Sequence, residues 1–491
     1  MHKPLRLALA TATAVAVTGG LLTFSAVTAT AADSTHVPQA DFNGDGIGDV
    51  AFSASGAYVN GLKNAGQLVV LYGTSTGLSS AKRTTLSQNS AGVPGASEAG
   101  DAFASDTAYA DFNGDGYDDL AVSSPHEKVG TDTDGGTLAI LWGSRAGLTG
   151  KGVTVSDPAP SAHDLWGKNL AAGDFDGDGK ADLAVGSSAS TIYVFKGGFS
   201  STGTPGGRYT IKPAIQSGGG ANGPLNLTAG DINGDKRTDL VVDGFETQTA
   251  YGWNRNYYIP GTASGLQVAS AKALKPGVIT AIGDINGDGY GDIVSGANWD
   301  ATTSDGTTIP DSAKGGKVWV TYGSASGPGG STGITQDTGN VPGSSESRDM
   351  FGYELDLGDI NGDGFLDLAI GVAGEDLGSN ADTGAVTVLY GTSSGLDTMS
   401  GAQSFAQSTP GVPGDDEDGD MFGLDLKLDD VTGDGKADLT VGSAENGGDG
   451  AVTYLPSDGT RITTTGSRAI SPNTSGVSTT GTPYFGANFA D

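Results

Sequence analysis

The sequence predicts an all-β protein folded as a seven-bladed β-propeller with four antiparallel strands in each blade. Short apolar runs alternate with clusters of Gly, Asn, Asp and Ser, and 84 of the 491 residues are glycine. No segment shows the 3.6-residue apolar period of a long amphipathic helix. A nine-residue Asp-rich motif occurs seven times, with 53 to 75 residues between successive starts, and such a period is typical of a repeat architecture.

The first 31 residues read as a separate segment. A polar start containing Lys3 and Arg6 precedes a mostly apolar stretch, residues 7–27, and an A-x-A site follows at 29–31. This order is typical of a cleaved secretory signal peptide. A retained membrane anchor is the alternative, but two adjacent glycines interrupt the apolar stretch. We therefore expect residues 1–31 to be removed, residues 32–491 to form the propeller, and the mature protein to be extracellular without membrane insertion.

Composition limits the possible partners. The formal net charge is −32, so nucleic acid and anionic membrane surfaces are poor partners. The chain has no cysteine, so an exported protein of this sequence has no disulfides to stabilise it. Carboxylates at this density repel one another, and bound cations would relieve the repulsion.

The repeated motif has the ligand pattern of a calcium loop. It reads D-x-[N/D/T]-x-D-[G/K]-x-x-D, with side-chain oxygens at positions one, three, five and nine and a backbone carbonyl at seven. Ca²⁺ prefers about six to eight such oxygens, and the glycine at position six allows the positive φ of a tight turn. The candidate ligands, loop by loop, are Asp41, Asn43, Asp45, Ile47 and Asp49; Asp111, Asn113, Asp115, Tyr117 and Asp119; Asp174, Asp176, Asp178, Lys180 and Asp182; Asp231, Asn233, Asp235, Arg237 and Asp239; Asp284, Asn286, Asp288, Tyr290 and Asp292; Asp359, Asn361, Asp363, Phe365 and Asp367; Asp430, Thr432, Asp434, Lys436 and Asp438.

An EF-hand is excluded because it needs a bidentate Glu at position twelve, where none of the seven copies has one. A short apolar strand follows each loop instead. The loops are not expected to bind equally. The 174–182 loop has four carboxylates and should be the tightest, while Lys236 and Arg237 should leave the 231–239 loop weak or empty. Thr432 makes the 430–438 loop intermediate.

Each period contains the parts of a propeller blade. An aromatic residue eight positions before the loop is expected on the first strand, as at Phe103, Trp166, Phe351 and Phe422. The second strand follows the loop, and third strands lie within 66–74, 136–144, 316–324 and 384–392. The chain ends on PYFGANFAD, the start of a blade without its loop. We therefore expect residues 483–491 to pair beside the 41–49 loop and close the ring.

These motifs resemble FG-GAP repeats, which form the N-terminal propeller of integrin α subunits and many secreted bacterial proteins. The resemblance covers essentially all of residues 37–491 and implies Ca²⁺ at the ligand positions given above. The chain departs from it at Lys236 and in blades four and five, where NGPLNLTAGD and PGVITAIGD lack the Phe-Gly pair. It also has no integrin leg or transmembrane helix.

Other familiar motifs carry little chemistry. Two G-x-S-x-G segments, 73–77 and 391–395, match the nucleophile elbow of hydrolases, but the equivalent segments of other blades have Arg or Ala at the middle position. They are interpreted as β-turns. His36, His126 and His163 lack zinc-site spacing and are expected at the surface, with His126 on a loop that could face a ligand.

A second repeat joins the blades. VPGASEAGD (93–101), VPGSSESRD (341–349) and VPGDDEDGD (412–420) each follow a Gln and place Glu and Asp three residues apart. Strand alternation puts these connectors, and the variable loops between second and third strands, on the face opposite the Asp-rich loops. Their acids either cap turns and hold neighbouring blades together or form an acidic recognition face.

The function that fits these features is a secreted binding or adhesion module for an extracellular protein or glycan, with mainly structural Ca²⁺ sites and a monomeric state. No catalytic residues are predicted. Two alternatives stay open. One is a hydrolase or lyase, or its accessory, acting on phospholipid or polysaccharide, because similar propellers occur in a phospholipase D and in some lyases. The other is a purely structural extracellular protein.

Overall fold

Seven antiparallel sheets arranged as blades around a central channel make up residues 37–490, the part of the chain that the computed structural model describes. The fold is therefore the all-β, seven-bladed propeller expected from the repeats. The predicted signal peptide lies outside the described residues. Among residues 37–490, no helix is long and apolar enough to cross a bilayer.

The strands are numbered β1–β27 along the chain, and the first three belong to blade 1. They are β1 (Val50–Ala54), β2 (Gln67–Leu71), β3 (Arg83–Leu86); in blade 2, β4 (Thr107–Ala110), β5 (Asp119–Ser124), β6 (Thr137–Leu141), β7 (Gly152–Thr154); in blade 3, β8 (Leu170–Gly173), β9 (Asp182–Val185), β10 (Ile192–Lys196), β11 (Gly207–Ile211); in blade 4, β12 (Asn226–Gly230), β13 (Asp239–Phe245), β14 (Asn254–Ile259), β15 (Lys272–Ala273). They continue in blade 5 with β16 (Ile279–Gly283), β17 (Asp292–Ala297), β18 (Lys317–Thr321), β19 (Ser331–Ile334); in blade 6, β20 (Phe351–Gly358), β21 (Asp367–Val372), β22 (Ala385–Leu389), β23 (Gln403–Phe405); in blade 7, β24 (Asp425–Asp429), β25 (Asp438–Ser443), β26 (Ala451–Leu455), β27 (Arg468–Ile470). The helical segments described are two short α-helices, α1 (Glu445–Gly448) and α2 (Pro472–Ser475), and a 3₁₀ turn at Val268–Ser270.

Within each blade the strands pair in chain order, from the channel outwards. The innermost strands of neighbouring blades from β4 to β24 contact one another and line the channel. The predicted third strands are confirmed as β2, β6, β18 and β22. We call the side bearing the Asp-rich loops and the turns after third strands the Asp-loop face. The opposite side, which bears the loops after second strands and the links between blades, is the connector face.

The hydrophobic core consists of seven clusters, one between each pair of neighbouring blades. Six of them contain 13 to 16 buried residues, but the cluster between blades 4 and 5 has five: Ile232, Val241, Tyr258, Leu274 and Ile293. Burial of apolar side chains is the main force holding neighbouring sheets together. The junction between blades 4 and 5 therefore has the smallest hydrophobic core in the ring.

The aromatic residues eight positions before the Asp-rich loops lie between blades, and for three of the four this corrects the expectation that they are part of the first strand. Phe103, Trp166 and Phe422 precede β4, β8 and β24, and only Phe351 begins a strand. All four backbone N–H groups donate to the preceding blade, as Phe103 N does to Ala65 O at 3.1 Å, and Phe351 begins a strand because it also pairs with Val372 of its own blade. The bond to the preceding blade turns the ring into the junction, where all four side chains are almost fully buried.

The C-terminal segment closes the ring as expected. Gly486 N donates to Ser53 O at 3.0 Å, and Ser53 N donates to Asn488 O at 2.8 Å. Phe489 pairs with Phe52 just as Thr107 of blade 2 pairs with Val122, so the register is that of a complete blade. Asp49 N then donates to Ala40 O, so the two ends of the chain together supply the innermost strand of blade 1.

Candidate functional site

The first aspartate of each Asp-rich loop closes the turn. Asp41 Oδ1 accepts from Gly44 N at 2.7 Å, and Asp41 Oδ2 accepts from Gly46 N at 2.8 Å. The equivalent contacts recur in the other loops. The fifth-position carboxylates are exposed, and each accepts from the backbone N–H at position seven, as Asp45 does from Ile47 at 3.1 Å. The loops are thus shaped by their own carboxylates.

The ninth-position aspartates are buried at the base of the loops. Asp49 is 1% exposed, and it accepts hydrogen bonds from Gly73 N, just after the third strand of its blade, and from Phe42 N. Burial disfavours the charged carboxylate, and the nearby Asp41 and Asp45 add repulsion, so the pKa of Asp49 rises to about 8. Burial likewise raises the pKa of Asp367 to about 8 and that of Asp182 to about 7. A cation bound beside these groups would stabilise their charged form.

Three carboxylates converge in the blade 3 loop. Oxygens of Asp174, Asp176 and Asp182 lie within 4.8 Å of one another, the only such group of three or more acids or histidines found within residues 37–490. All three side chains are buried, and Asp182 Oδ2 has no hydrogen-bond partner there. A set of hard, partly unpaired oxygens fits Ca²⁺. The greater affinity of this loop stays a prediction.

Lys196 adds a feature that the motif does not show. Its Nζ lies 2.6 Å from Asp176 Oδ2, at the end of β10. The ammonium therefore neutralises part of the charge in the loop with the most carboxylates, and it would compete with a metal ion for Asp176.

Lys236 adopts the strained conformation expected of it. Its φ is +66°, whereas glycines fill the sixth position of the other six loops with φ of +81° to +89°. The Arg237 guanidinium pairs with Asp235 Oδ2 at 3.1 Å, so one carboxylate of this loop already has a cation. The strained backbone at Lys236 and the Arg237–Asp235 ion pair are both unfavourable for metal binding. The occupancy of this site stays a prediction.

Neighbouring loops are joined around the ring. At five of the seven junctions the N–H at position eight donates to the position-one carbonyl of the preceding loop, as Gly48 does to Asp430 at 2.9 Å and Thr238 to Asp174 at 2.9 Å. The glycine at position four has positive φ in all seven loops, and a Cβ on Gly44 would lie 2.7 Å from Tyr117 of the next loop. Sequence reasoning missed this role, although Gly at position four in all seven copies was the available signal.

On the connector face, the repeated Asp caps a turn, as one sequence interpretation held. Asp349 Oδ2 accepts from Glu346 N at 2.6 Å, and Asp101 and Asp420 make the same contact. The preceding Gln has a role that was not predicted. Gln336 Nε2 donates to Glu375 of the next blade at 2.8 Å, with equivalents at Gln88 and Gln407. The connectors therefore hold adjacent blades together.

The two G-x-S-x-G segments and the histidines of residues 37–490 do not form a catalytic arrangement. Ser75 and Ser393 are exposed in turns between third and fourth strands, which confirms the turn interpretation. His126 is exposed, with Nδ1 3.6 Å from Asp134 Oδ1. The expectation of a surface position is wrong for His163, which is buried because it stacks on Trp166 at 5.5 Å. His36 lies outside the described residues.

Comparison with known proteins agrees with the repeat geometry. The FG-GAP repeat family model matches residues 351–389, and the FG-GAP-like repeat model matches residues 111–185 and 174–242. Phosphatidylinositol-glycan-specific phospholipase D of Mus musculus is 33% identical over 149 residues, which is 30% of this chain and 17% of that protein. Integrin alpha-PS2 of Drosophila melanogaster is 25% identical over 272 residues, or 54% of this chain and 15% of that protein. The chain thus matches less than a fifth of the length of either relative.

Solved structures also show similarity. BBS1N in a complex with ARL6DN aligns with a TM-score of 0.40 and 12% identity, over 72% of this chain and 79% of that one. The Dos1 propeller aligns with a TM-score of 0.36 and 10% identity, over 70% of this chain and 68% of that one.

Proposed function

Because the chain is a seven-bladed β-propeller that carries FG-GAP repeats, we propose that it is an extracellular binding module braced by Ca²⁺. The metal sites lie on the Asp-loop face, and loops of the connector face bind an extracellular protein or glycan. The observation that carries this proposal is the set of hydrogen bonds joining one Asp-rich loop to the next at five of the seven junctions of the ring. A cation that orders one loop therefore also orders the edge of the adjacent blade.

Burial of the ninth-position aspartates supports a structural role for the metal. Asp119 and Asp239 are fully buried, with pKa values raised by burial to about 8 and about 7. An ion bound at such a loop offsets a desolvation cost that the folded protein otherwise bears. Extracellular calcium modules bind at roughly 0.1–1 mM, so each occupied site contributes on the order of 1 kcal/mol at millimolar Ca²⁺.

Calorimetric unfolding of the purified mature protein, with 5 mM CaCl₂ or with EDTA, tests the metal part of the proposal. Several sites acting together should raise the melting temperature by several degrees or more. MgCl₂ serves as the control, because Mg²⁺ demands a tighter octahedral geometry and should stabilise less. Equal melting temperatures in CaCl₂ and EDTA would contradict the proposal.

A second candidate function is that of an accessory domain for a phospholipid hydrolase. It is favoured by the similarity to phosphatidylinositol-glycan-specific phospholipase D over 30% of this chain. Incubating the purified protein with a glycosylphosphatidylinositol-anchored reporter separates the two candidates. An accessory domain predicts retention of the reporter through its glycosylphosphatidylinositol anchor, without release, whereas a module for an extracellular protein or glycan treats the anchored reporter and the same reporter without its anchor alike. Release of the reporter would instead show that the chain is itself a hydrolase.

A further inference from the structure

A cavity of about 370 Å³ opens on the connector face between blades 4 and 5. Its walls come from the loop after β13, the link between the two blades and the loop after β17. The volume lies near the lower end of the range of small-molecule pockets, about 300–1,000 Å³. None of the repeated motifs accounts for it.

The cavity lies where the repeat loses its own packing. At five junctions the Phe-Gly aromatic packs against a glycine at the entry of the preceding blade's third strand, as Phe103 does against Gly66. Here Pro276 replaces the aromatic residue, and Asn254 replaces the glycine. Gly277 N donates to the Asn254 side chain at 2.9 Å instead of to a backbone carbonyl. Together with the small core cluster at this junction, the exchange leaves open the space that an aromatic ring fills elsewhere.

An aromatic platform stands at the cavity. Tyr251 and Trp253 are stacked, with ring centroids 5.0 Å apart and planes 15° from parallel. Tyr251 is 69% exposed, the highest value among the exposed large hydrophobic residues described. Exposing an aromatic ring to water is unfavourable, so a flat π face held open beside a cavity points to a ligand with a flat apolar face of its own.

Polar groups of the cavity wall favour a hydroxylated ligand. The Trp299 Nε1 donor is buried and has no hydrogen-bond partner among the described residues. Asp311 pairs with Lys275 at 2.7 Å, and Arg255 Nη1 donates to Leu274 O at 3.1 Å, which leaves its other N–H groups for a ligand. The cations and the acid of the wall nearly balance, so a highly charged ligand gains little here.

We propose that this cavity binds a pyranose ring of an extracellular glycan, an assignment that rests on the proposed binding function and gives it a ligand class. The C–H face of the sugar stacks on the exposed face of Tyr251, whose other face is covered by Trp253, since the negative face of an aromatic ring attracts polarised C–H groups. Its hydroxyls bond to the remaining N–H groups of Arg255 and to the carboxylate of Asp311. An acyl chain or an apolar peptide side chain would fill the volume but would remove water from Arg255 and Asp311 without offering them hydrogen bonds in return.

An array of plant, fungal, bacterial and animal polysaccharides, probed with the full mature protein in CaCl₂, tests the proposal. Tyr251→Ala is the main variant, since an exposed side chain can be removed without unfolding the blade. Trp253→Ala is the second variant, and its thermal unfolding is measured in parallel. Met399→Ala is the matched control, because it removes a side chain that is 63% exposed in blade 6.

We expect retention on one class of glycan, with affinity about tenfold weaker in Tyr251→Ala and unchanged in Met399→Ala. Titration of that glycan should also change the tryptophan fluorescence of the unmodified protein. Retention on no glycan, or equal affinity in all variants, would overturn the proposal. Binding only to apolar peptides or acyl chains would overturn it as well.

The outcome separates this inference from the proposed function. Calcium-dependent capture of an extracellular protein, unaffected by Tyr251→Ala and accompanied by no glycan binding, would remove the glycan site but keep the binding module. The opposite result is glycan binding that depends on Tyr251 together with a melting temperature that EDTA does not change. It would support the glycan site and contradict stabilisation of the ring by Ca²⁺.

Discussion

Deleting residues 484–491 tests whether the last segment of the chain closes the ring. The Phe485 side chain is fully buried, and its ring centroid lies 4.8 Å from that of Phe52. Removing a buried Phe side chain costs about 3–5 kcal/mol. The deletion also removes Phe489 and the backbone hydrogen bonds to Ser53 and Ala51, each worth about 1 kcal/mol.

The expected change in melting temperature follows from chain length. The entropy of unfolding is about 2.1 cal/mol/K per residue, so a ring of roughly 450 residues loses about 1 °C for each kcal/mol. Phe485→Ala should therefore melt about 3–5 °C lower, and the deletion should melt lower still. Only the deletion leaves the edge of β1 unpaired, and an open edge promotes association with other chains.

Differential scanning calorimetry and size-exclusion chromatography measure the two effects. Phe103→Ala is the matched control, because Phe103 fills the same position between blades 1 and 2 and is 1% exposed. It should lower the melting temperature about as much as Phe485→Ala while the protein stays monomeric. A deletion variant that melts within about 1 °C of the unmodified protein, without association, would refute the closure of the ring.

Three further predictions concern the Asp-rich loops. In EDTA, the protein should lose stability as pH rises from about 5 to 9. The reason is that Asp49, Asp182 and Asp367 keep their protons in the folded state up to pKa values of about 7 to 8, whereas in the unfolded state they release them near pH 4. Saturating Ca²⁺ should flatten this dependence, and a stability that does not change with pH in EDTA would contradict the burial argument. Lys236→Gly should raise the free energy of unfolding in urea by about 1 kcal/mol, because it removes a side chain held at φ +66°. The reverse change in blade 5, Gly289→Lys, should lower it by a similar amount. Free energies of unfolding that are the same in both variants and in the unmodified protein would contradict the strain. Lys196→Met should raise the Ca²⁺ affinity of the blade 3 loop about fivefold, the equivalent of ~1 kcal/mol for a partly exposed ion pair; titration calorimetry measures this, and an unchanged affinity would show that Lys196 does not compete.

Sequence alone predicted the features that depend on position along the chain. The spacing of the Asp-rich loops gave the number of blades, and the distance from Phe485 to the end of the chain, added to Gln39 and Ala40, gave the register of closure. Both inferences needed only counting, because every blade repeats the same order of strand, loop and strand.

Features that depend on contacts between blades were not read in this way. Lys196 meets Asp176 because β10 ends beside the loop of its own blade, and Gln336 meets Glu375 across a junction. The Lys196–Asp176 contact is not part of the repeated motif, so nothing in the motif indicates it. The Gln–Glu pair does recur, at separations of 39, 39 and 38 residues, and that spacing was an available signal. The cavity between blades 4 and 5 had a partial signal: the missing Phe-Gly pair coincides with Trp253 and Trp299, two of the five tryptophans of the chain.

The central claim is that Ca²⁺ occupies the Asp-rich loops and braces the ring. An anomalous difference map from crystals grown in CaCl₂, collected at a wavelength where calcium scatters anomalously, tests it most directly. We expect peaks within the loops, strongest where Asp174, Asp176 and Asp182 converge and weakest or absent at the loop containing Lys236. A map without peaks in any of the seven loops would contradict it.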